Sequence, residues 1–172
     1  NLAQHGWGAS WSADGQWLYY VDEAVLKKVP AAGGPAVTVR SEQVRNVIGL
    51  LGGTLYYVVE RPLVDGRPEF EIRAARPEEG ASTVLARVSA ARVASWQIVN
   101  PSLSPDGQAL ALPLTDGVTT NVWALSTGTG EWRQLTDFGD GATLVARPVS
   151  WAADGRFILA AVAGARADLG LA

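Results

Sequence analysis

The sequence predicts an all-β chain, a partial β-propeller of about three and a half four-stranded blades, and three observations carry that expectation. One turn sequence recurs at an even interval. An apolar strand follows each turn at once. No stretch shows a helical period. The turn copies are Ser10-Trp11-Ser12-Ala13-Asp14-Gly15, Ser102-Leu103-Ser104-Pro105-Asp106-Gly107 and Ser150-Trp151-Ala152-Ala153-Asp154-Gly155. Asp14 and Asp106 stand 92 residues apart, two steps of 46, and Asp154 follows 48 later. That spacing demands a copy in between, and Leu50-Leu51-Gly52-Gly53-Thr54-Leu55 supplies it with glycine in place of the aspartate. A β-sandwich also has many short strands, but it has no reason to repeat one turn at a fixed step.

Each copy follows the same logic. A first strand ends at the Asp-Gly turn, where glycine tolerates positive φ. The second strands, residues 16–21, 54–60, 108–115 and 156–163, are apolar on both faces, as expected of strands sandwiched between neighbouring sheets. Third strands are expected over 24–29, 69–74 and 121–126. Glycine-bearing turns at 32–35, 77–80 and 127–130 lead to fourth strands over 36–39, 82–88 and 131–136. The blades then span about 7–46, 47–98 and 99–146, with a partial blade at 147–172. Trp11 and Trp151 share one repeat position, and Trp17 and Phe157 share another. Rings recurring in register are expected to wedge blades together, whereas Trp7, Trp96 and Trp132 fall outside the register.

Composition excludes several function classes. Hydrophobic residues make up 48% and charged residues 18% of the 172, which fits a folded chain rather than a disordered one. A net charge of −3 with basic residues scattered singly, Lys27-Lys28 apart, offers no polyanion-binding face. Without cysteine there is no disulfide, thiolate metal site or thiol nucleophile. The longest apolar run, 157–165, is far short of the roughly 20 residues that span a bilayer. The chain opens at Asn1 rather than Met, as expected of a processed or excised piece.

At Leu103-Ser104-Pro105-Asp106-Gly107, followed by Asn121-Val122-Trp123-Ala124-Leu125, Gly130 and Gln134-Leu135-Thr136, the chain resembles the TolB-type, WD-like propeller repeat. Ala13 and Ala153 replace the proline in the first and last copies, and Gly52 replaces the aspartate in the second. The resemblance implies an accessory propeller of the kind found in periplasmic TolB proteins, in tricorn-type and prolyl-oligopeptidase-type peptidases, and behind bacterial serine/threonine kinases. It implies an extracytoplasmic setting. Two functions follow as expectations: a non-catalytic scaffold for protein or ligand binding, or a sensing or gating propeller whose catalytic domain lies outside the chain.

No residue set for chemistry emerges. His5 is the one histidine, without a Gly-x-Ser-x-Gly elbow, so no hydrolase triad is expected. Asp137-Phe138-Gly139 spells the kinase metal-binding tripeptide without the other kinase elements and reads as a turn. The repeat aspartates serve turns on separate blades, and no loop has the dense carboxylates of a calcium site. Glu69 with Glu71, and Glu78 with Glu79, read as a solvated edge rather than a glycosidase pair. No catalytic residue, cofactor or metal is expected.

Binding is expected on the face where second-to-third and fourth-to-first connections gather. Those loops are 22–23, 61–68 and 116–120, with 41–46, 92–100 and 138–147. They carry Arg45, Arg92, Trp96, Gln97 and Arg147, residue types that dominate interfaces. The expected partner is a protein or peptide, not nucleic acid and not a bilayer interior. Three and a half blades leave open edges, so either the remainder of a propeller or a second copy is expected to cover them.

Overall fold

The computed structural model describes residues 7–62, 68–93, 100–139, 143–145 and 149–164. The chain divides into two compact units, Asn1–Val88 and Ser89–Ala172.

In the first unit, β1 (Trp7–Trp11), β2 (Trp17–Asp22), β3 (Val25–Pro30) and β4 (Val37–Arg40) form one sheet in sequence order. A second sheet repeats that order with β5 (Val44–Leu51), β6 (Thr54–Pro62), β7 (Pro68–Ala75) and β8 (Thr83–Ser89). Sequential antiparallel strands in four-stranded sheets are the blade pattern. Tyr19, Val21 and Leu26 of the first sheet pack with Val44, Val47, Leu55, Tyr57 and Val59 of the second. At the other end of this seam the contact turns ionic. Lys28 Nζ meets Glu78 Oε1 at 2.7 Å, and the Arg40 guanidinium donates to the carbonyls of Arg76 and Glu79.

In the second unit, β9 (Ser102–Leu103), β10 (Ala109–Thr115), β11 (Thr120–Ser126) and β12 (Trp132–Gln134) make the third sheet. The last blade is an interrupted hairpin. β14 (Ser150–Trp151) pairs with β15 (Ile158–Leu159), and β13 (Thr143–Val145) with β16 (Val162–Gly164). The sequence suggested one strand over 156–163. The described strand instead breaks at Ala160 and Ala161, exposed residues with little side chain to pack. Ala111, Val122, Val145 and Val149 form the core here, with Leu135, Phe138, Trp151 and Ile158 packed on it.

The repeated turn owes its shape to more than glycine. Ser12 Oγ donates to Asp14 Oδ1 and accepts from Trp17 N at 2.9 Å, while Gln16 N donates to the same Asp14 oxygen at 2.9 Å. Ser104 and Asp106 reproduce the arrangement with Ala109 N and Gln108 N. Gly15 and Gly107 close it at φ 69° and 74°. In the last copy Ala152 has no hydroxyl, and Asp154 keeps its bond from Arg156 N at 3.0 Å. The second copy is shorter: Leu51 pairs directly with Thr54 across Gly52-Gly53, both at positive φ. This is a two-residue hairpin turn.

The tryptophan expectation divides. Trp17 and Trp151 pack against cores, but Trp11 is 55% and Phe157 59% exposed. Trp132 is half-buried, and Trp96 lies outside the described residues.

Candidate binding site

The third blade brings two connections together. Its β10–β11 turn is built on Asp116, whose Oδ1 accepts from Val118 N at 2.9 Å and Thr119 N at 2.8 Å. Those amide bonds, Thr119's first, hold the Asp116 carboxyl below its ordinary value. The segment after β12 is tied to the start of β11 by Asn121. Its Oδ1 accepts from Thr136 Oγ1 at 3.0 Å and from Phe138 N at 3.1 Å. Thr119 Oγ1 then donates to Gly139 O at 3.3 Å, joining turn to segment. The kinase-like tripeptide is a turn, as the sequence suggested, with Gly139 N donating to Asp137 Oδ1 at 3.2 Å.

Between these connections lies a cavity of about 270 Å³ lined by Arg92, Asp116, Asn121, Trp123, Gln134 and Asp137 among others. Arg92 ends a short 3₁₀ turn, Ala90–Arg92, capped by the Ser89 hydroxyl. Its guanidinium lies 5.3 Å from the centre of the Trp123 ring, within cation–π range. No hydrogen bond or ion pair engages it among the described residues. The pocket therefore presents a cation on an aromatic platform, flanked by two carboxylates and two amides held by internal hydrogen bonds. Such a set recognises polar and charged groups. It contains no nucleophile paired with a base, and among the described residues no cluster of three or more His, Cys, Asp or Glu could hold a metal.

The other sequence-predicted residues are dispersed. Arg45 lies on β5, not in a loop, because β5 begins at Val44; it is half-exposed and ion-paired with Glu60. It belongs to the first unit, Arg92 to the second. Trp96, Gln97 and Arg147 lie outside the described residues. The 116–120 connection, with Asp116, was expected on the binding face, but Asn121, Trp123 and Asp137 were not expected as pocket residues. Asn121 and Trp123 read only as repeat consensus, and their relation to Thr136 and Gln134 needs the cross-strand register.

Sequence reasoning also misread Glu71. It is no solvated edge residue but 4% exposed on β7. Arg73 Nε donates to its Oε2 at 2.9 Å and Arg87 Nε to its Oε1 at 3.1 Å. Arg73 also reaches Glu42 Oε2 at 2.7 Å, and the Tyr57 hydroxyl donates to Glu42 Oε1 at 2.9 Å. Burial pushes the Glu71 carboxyl up, but the bonds from Arg73 and Arg87 outweigh it and hold it below its ordinary value. Every charge in this cluster has its partner, so it reads as a fastening of the second blade.

No family model matches the chain, and no curated protein matches it. Solved structures do. A putative TolB from Agrobacterium tumefaciens matches 89% of this chain and 52% of its own at 20% identity, TM-score 0.62. TolB from Acinetobacter baumannii matches 90% of this chain and 37% of its own at 16% identity, TM-score 0.65. A chain of a nidogen–laminin complex matches 92% and 57% at 15% identity, TM-score 0.59. Enzymes also share the architecture, among them a luciferin-regenerating enzyme at TM-score 0.51. This chain spans about half or less of the TolB structures it matches. At these identities the likeness concerns architecture: the chain has the fold of a TolB-like β-propeller, in part.

Proposed function

We propose that the chain is a non-catalytic binding scaffold that receives a protein or peptide on the loop face of its third blade, the β9–β12 sheet with the Ala90–Arg92 turn beside it. The observation that carries this reading is the Arg92 guanidinium resting on Trp123 at a pocket where Asp116, Asn121, Gln134 and Asp137 are each positioned by a hydrogen bond to nearby backbone. A side chain held on a ring gives up less freedom on binding than a free one. Arginine and tryptophan are also the types that most often dominate interface energetics. An acidic side chain or a chain-terminal carboxylate would pair with Arg92, which has no ion-pair partner among the described residues, and Asp116 and Asp137 suit an adjacent amide or ammonium group. Trp96, Gln97 and Arg147 are proposed as further contacts of this face, and Arg45 as a separate contact of the first unit. The nidogen–laminin structure, a complex of two proteins, supports this kind of engagement for the architecture.

An array of acidic, neutral and basic peptides, read by fluorescence anisotropy, tests the proposal. Acidic peptides should bind best and weaken with added salt. Arg92→Glu should weaken them about tenfold or more while circular dichroism is unchanged. Equal binding by the variant, or robust turnover in hydrolase or kinase assays of the chain, would refute it.

A further inference from the structure

The repeated turn sets one dipeptide, Asp-Gly, in the same geometry three times, and the copies differ in how the carboxyl is held. Gly15, Gly107 and Gly155 have φ of 69°, 74° and 70°. Each glycine amide donates at 2.9 Å to the carbonyl of the repeat's Ser12, Ser104 or Ala152. All three aspartates are exposed. Their carboxyls are where they part. Asp14 and Asp106 each accept two bonds, one from a serine hydroxyl and one from the amide of Gln16 or Gln108. Among the described residues Asp154 accepts only the second kind, from Arg156 N at 3.0 Å, because Ala152 has no hydroxyl to give. A further pair, Asp116-Gly117, also has its carboxyl held twice, by the Val118 and Thr119 amides.

That difference bears on a reaction that needs no enzyme. The amide nitrogen that follows an aspartate can attack the side-chain carboxyl carbon. A nitrogen–carbon bond forms, the amide proton and the carboxyl hydroxyl leave together as water, and a succinimide ring results. Water then reopens the ring. Opening at the main-chain carbonyl routes the backbone through the side chain, giving an isoaspartate of unchanged mass. Glycine favours the attack, since it has no Cβ to obstruct the nitrogen's approach. An ionised carboxylate is a poor target, so hydrogen bonds that stabilise the charged form protect it. We infer that Asp154 is a site of spontaneous isoaspartate formation, its singly held carboxyl being the one Gly155 N can reach, while the doubly held Asp14, Asp106 and Asp116 are spared. The product lengthens the main chain at the tip of the β14–β15 hairpin, where the pairing of Trp151 with Ile158 depends on the turn.

Incubation of the folded chain at neutral pH and physiological temperature tests this, with peptide mapping by electron-transfer fragmentation to locate isoaspartate. Asp154 should accumulate it about fivefold faster or more than Asp14, Asp106 or Asp116, the worth of one hydrogen bond to the carboxylate. Ala152→Ser, which restores the hydroxyl, should slow Asp154 to the rate of Asp106. Ser104→Ala should bring Asp106 toward the rate of Asp154. In urea the four sites should react at similar rates, since glycine follows each of them. Asp65-Gly66 and Asp140-Gly141 lie outside the described residues, and the same mapping resolves them as separate sites. Equal rates at Asp154 and Asp106 in the folded chain would overturn the proposal, as would an Ala152→Ser chain that reacts like the wild type. A preference for Asp154 that persists in urea would also overturn it, by tracing the effect to neighbouring sequence instead of the serine bond.

Discussion

At Ser104 one hydroxyl performs two tasks, donating to Asp106 and accepting from Ala109 N, while the residue itself is 4% exposed. Ser104→Ala leaves a backbone donor unmatched in a buried place, so urea denaturation should show a loss of about 1–2 kcal/mol. The reverse change is available in the last repeat, where Ala152 occupies the serine position. Ala152→Ser should add the same pair of bonds and stabilise the chain by about 0.5–1 kcal/mol in the same assay. The hydroxyl bonds also explain why Asp14 and Asp106 titrate below the ordinary carboxylate range, the serine contact being the larger cause and the Gln16 or Gln108 amide the next. Gly8 is fixed for a different reason. It sits at φ 61°, and a Cβ there would meet Asn46 Oδ1 at 2.3 Å. Gly8→Ala should cost about 2 kcal/mol or more, from left-handed backbone and from a contact that has to be displaced.

Among the elements, the β2–β3 hairpin carries visible strain. Glu23 and Ala24 connect strands that pair as far as Asp22 and Val25, and both have positive φ, 51° and 62°. A two-residue hairpin of this hand favours Asn-Gly, because asparagine tolerates the left-handed region and glycine has no Cβ to crowd it. The backbone is nonetheless held, since Ala24 O accepts from Val44 N at 2.9 Å at the start of β5. Replacing the pair (Glu23→Asn with Ala24→Gly) should raise the denaturation midpoint by about 1 kcal/mol equivalent without altering the sheet. An unchanged midpoint would show that the turn relaxes in solution.

For the molecule as a whole, acid sensitivity should be set in part by Glu71. Its folded-state carboxyl lies below the ordinary value of 4.5, so folding favours the charged form. The resulting stabilisation is present above that value and is lost as pH falls through the lower, folded-state one. Denaturation midpoints measured from pH 6 down to pH 3 should therefore fall, and Glu71→Gln should both lower the midpoint at pH 6, by about 1–3 kcal/mol, and flatten its decline. A variant with the wild-type slope would assign the acid response elsewhere. The sequence by itself determined the repeat, the four-strand order of the blades and the apolar second strands, because these depend on local turn chemistry and on patterns that repeat along the chain. Only the tertiary structure decided that Glu71 is buried between two arginines, that Arg45 stands on a strand, and that Arg92 lies across Trp123. Those facts depend on which strands pair and in what register, and residues 16 or 31 apart have no means of declaring in sequence that they will touch.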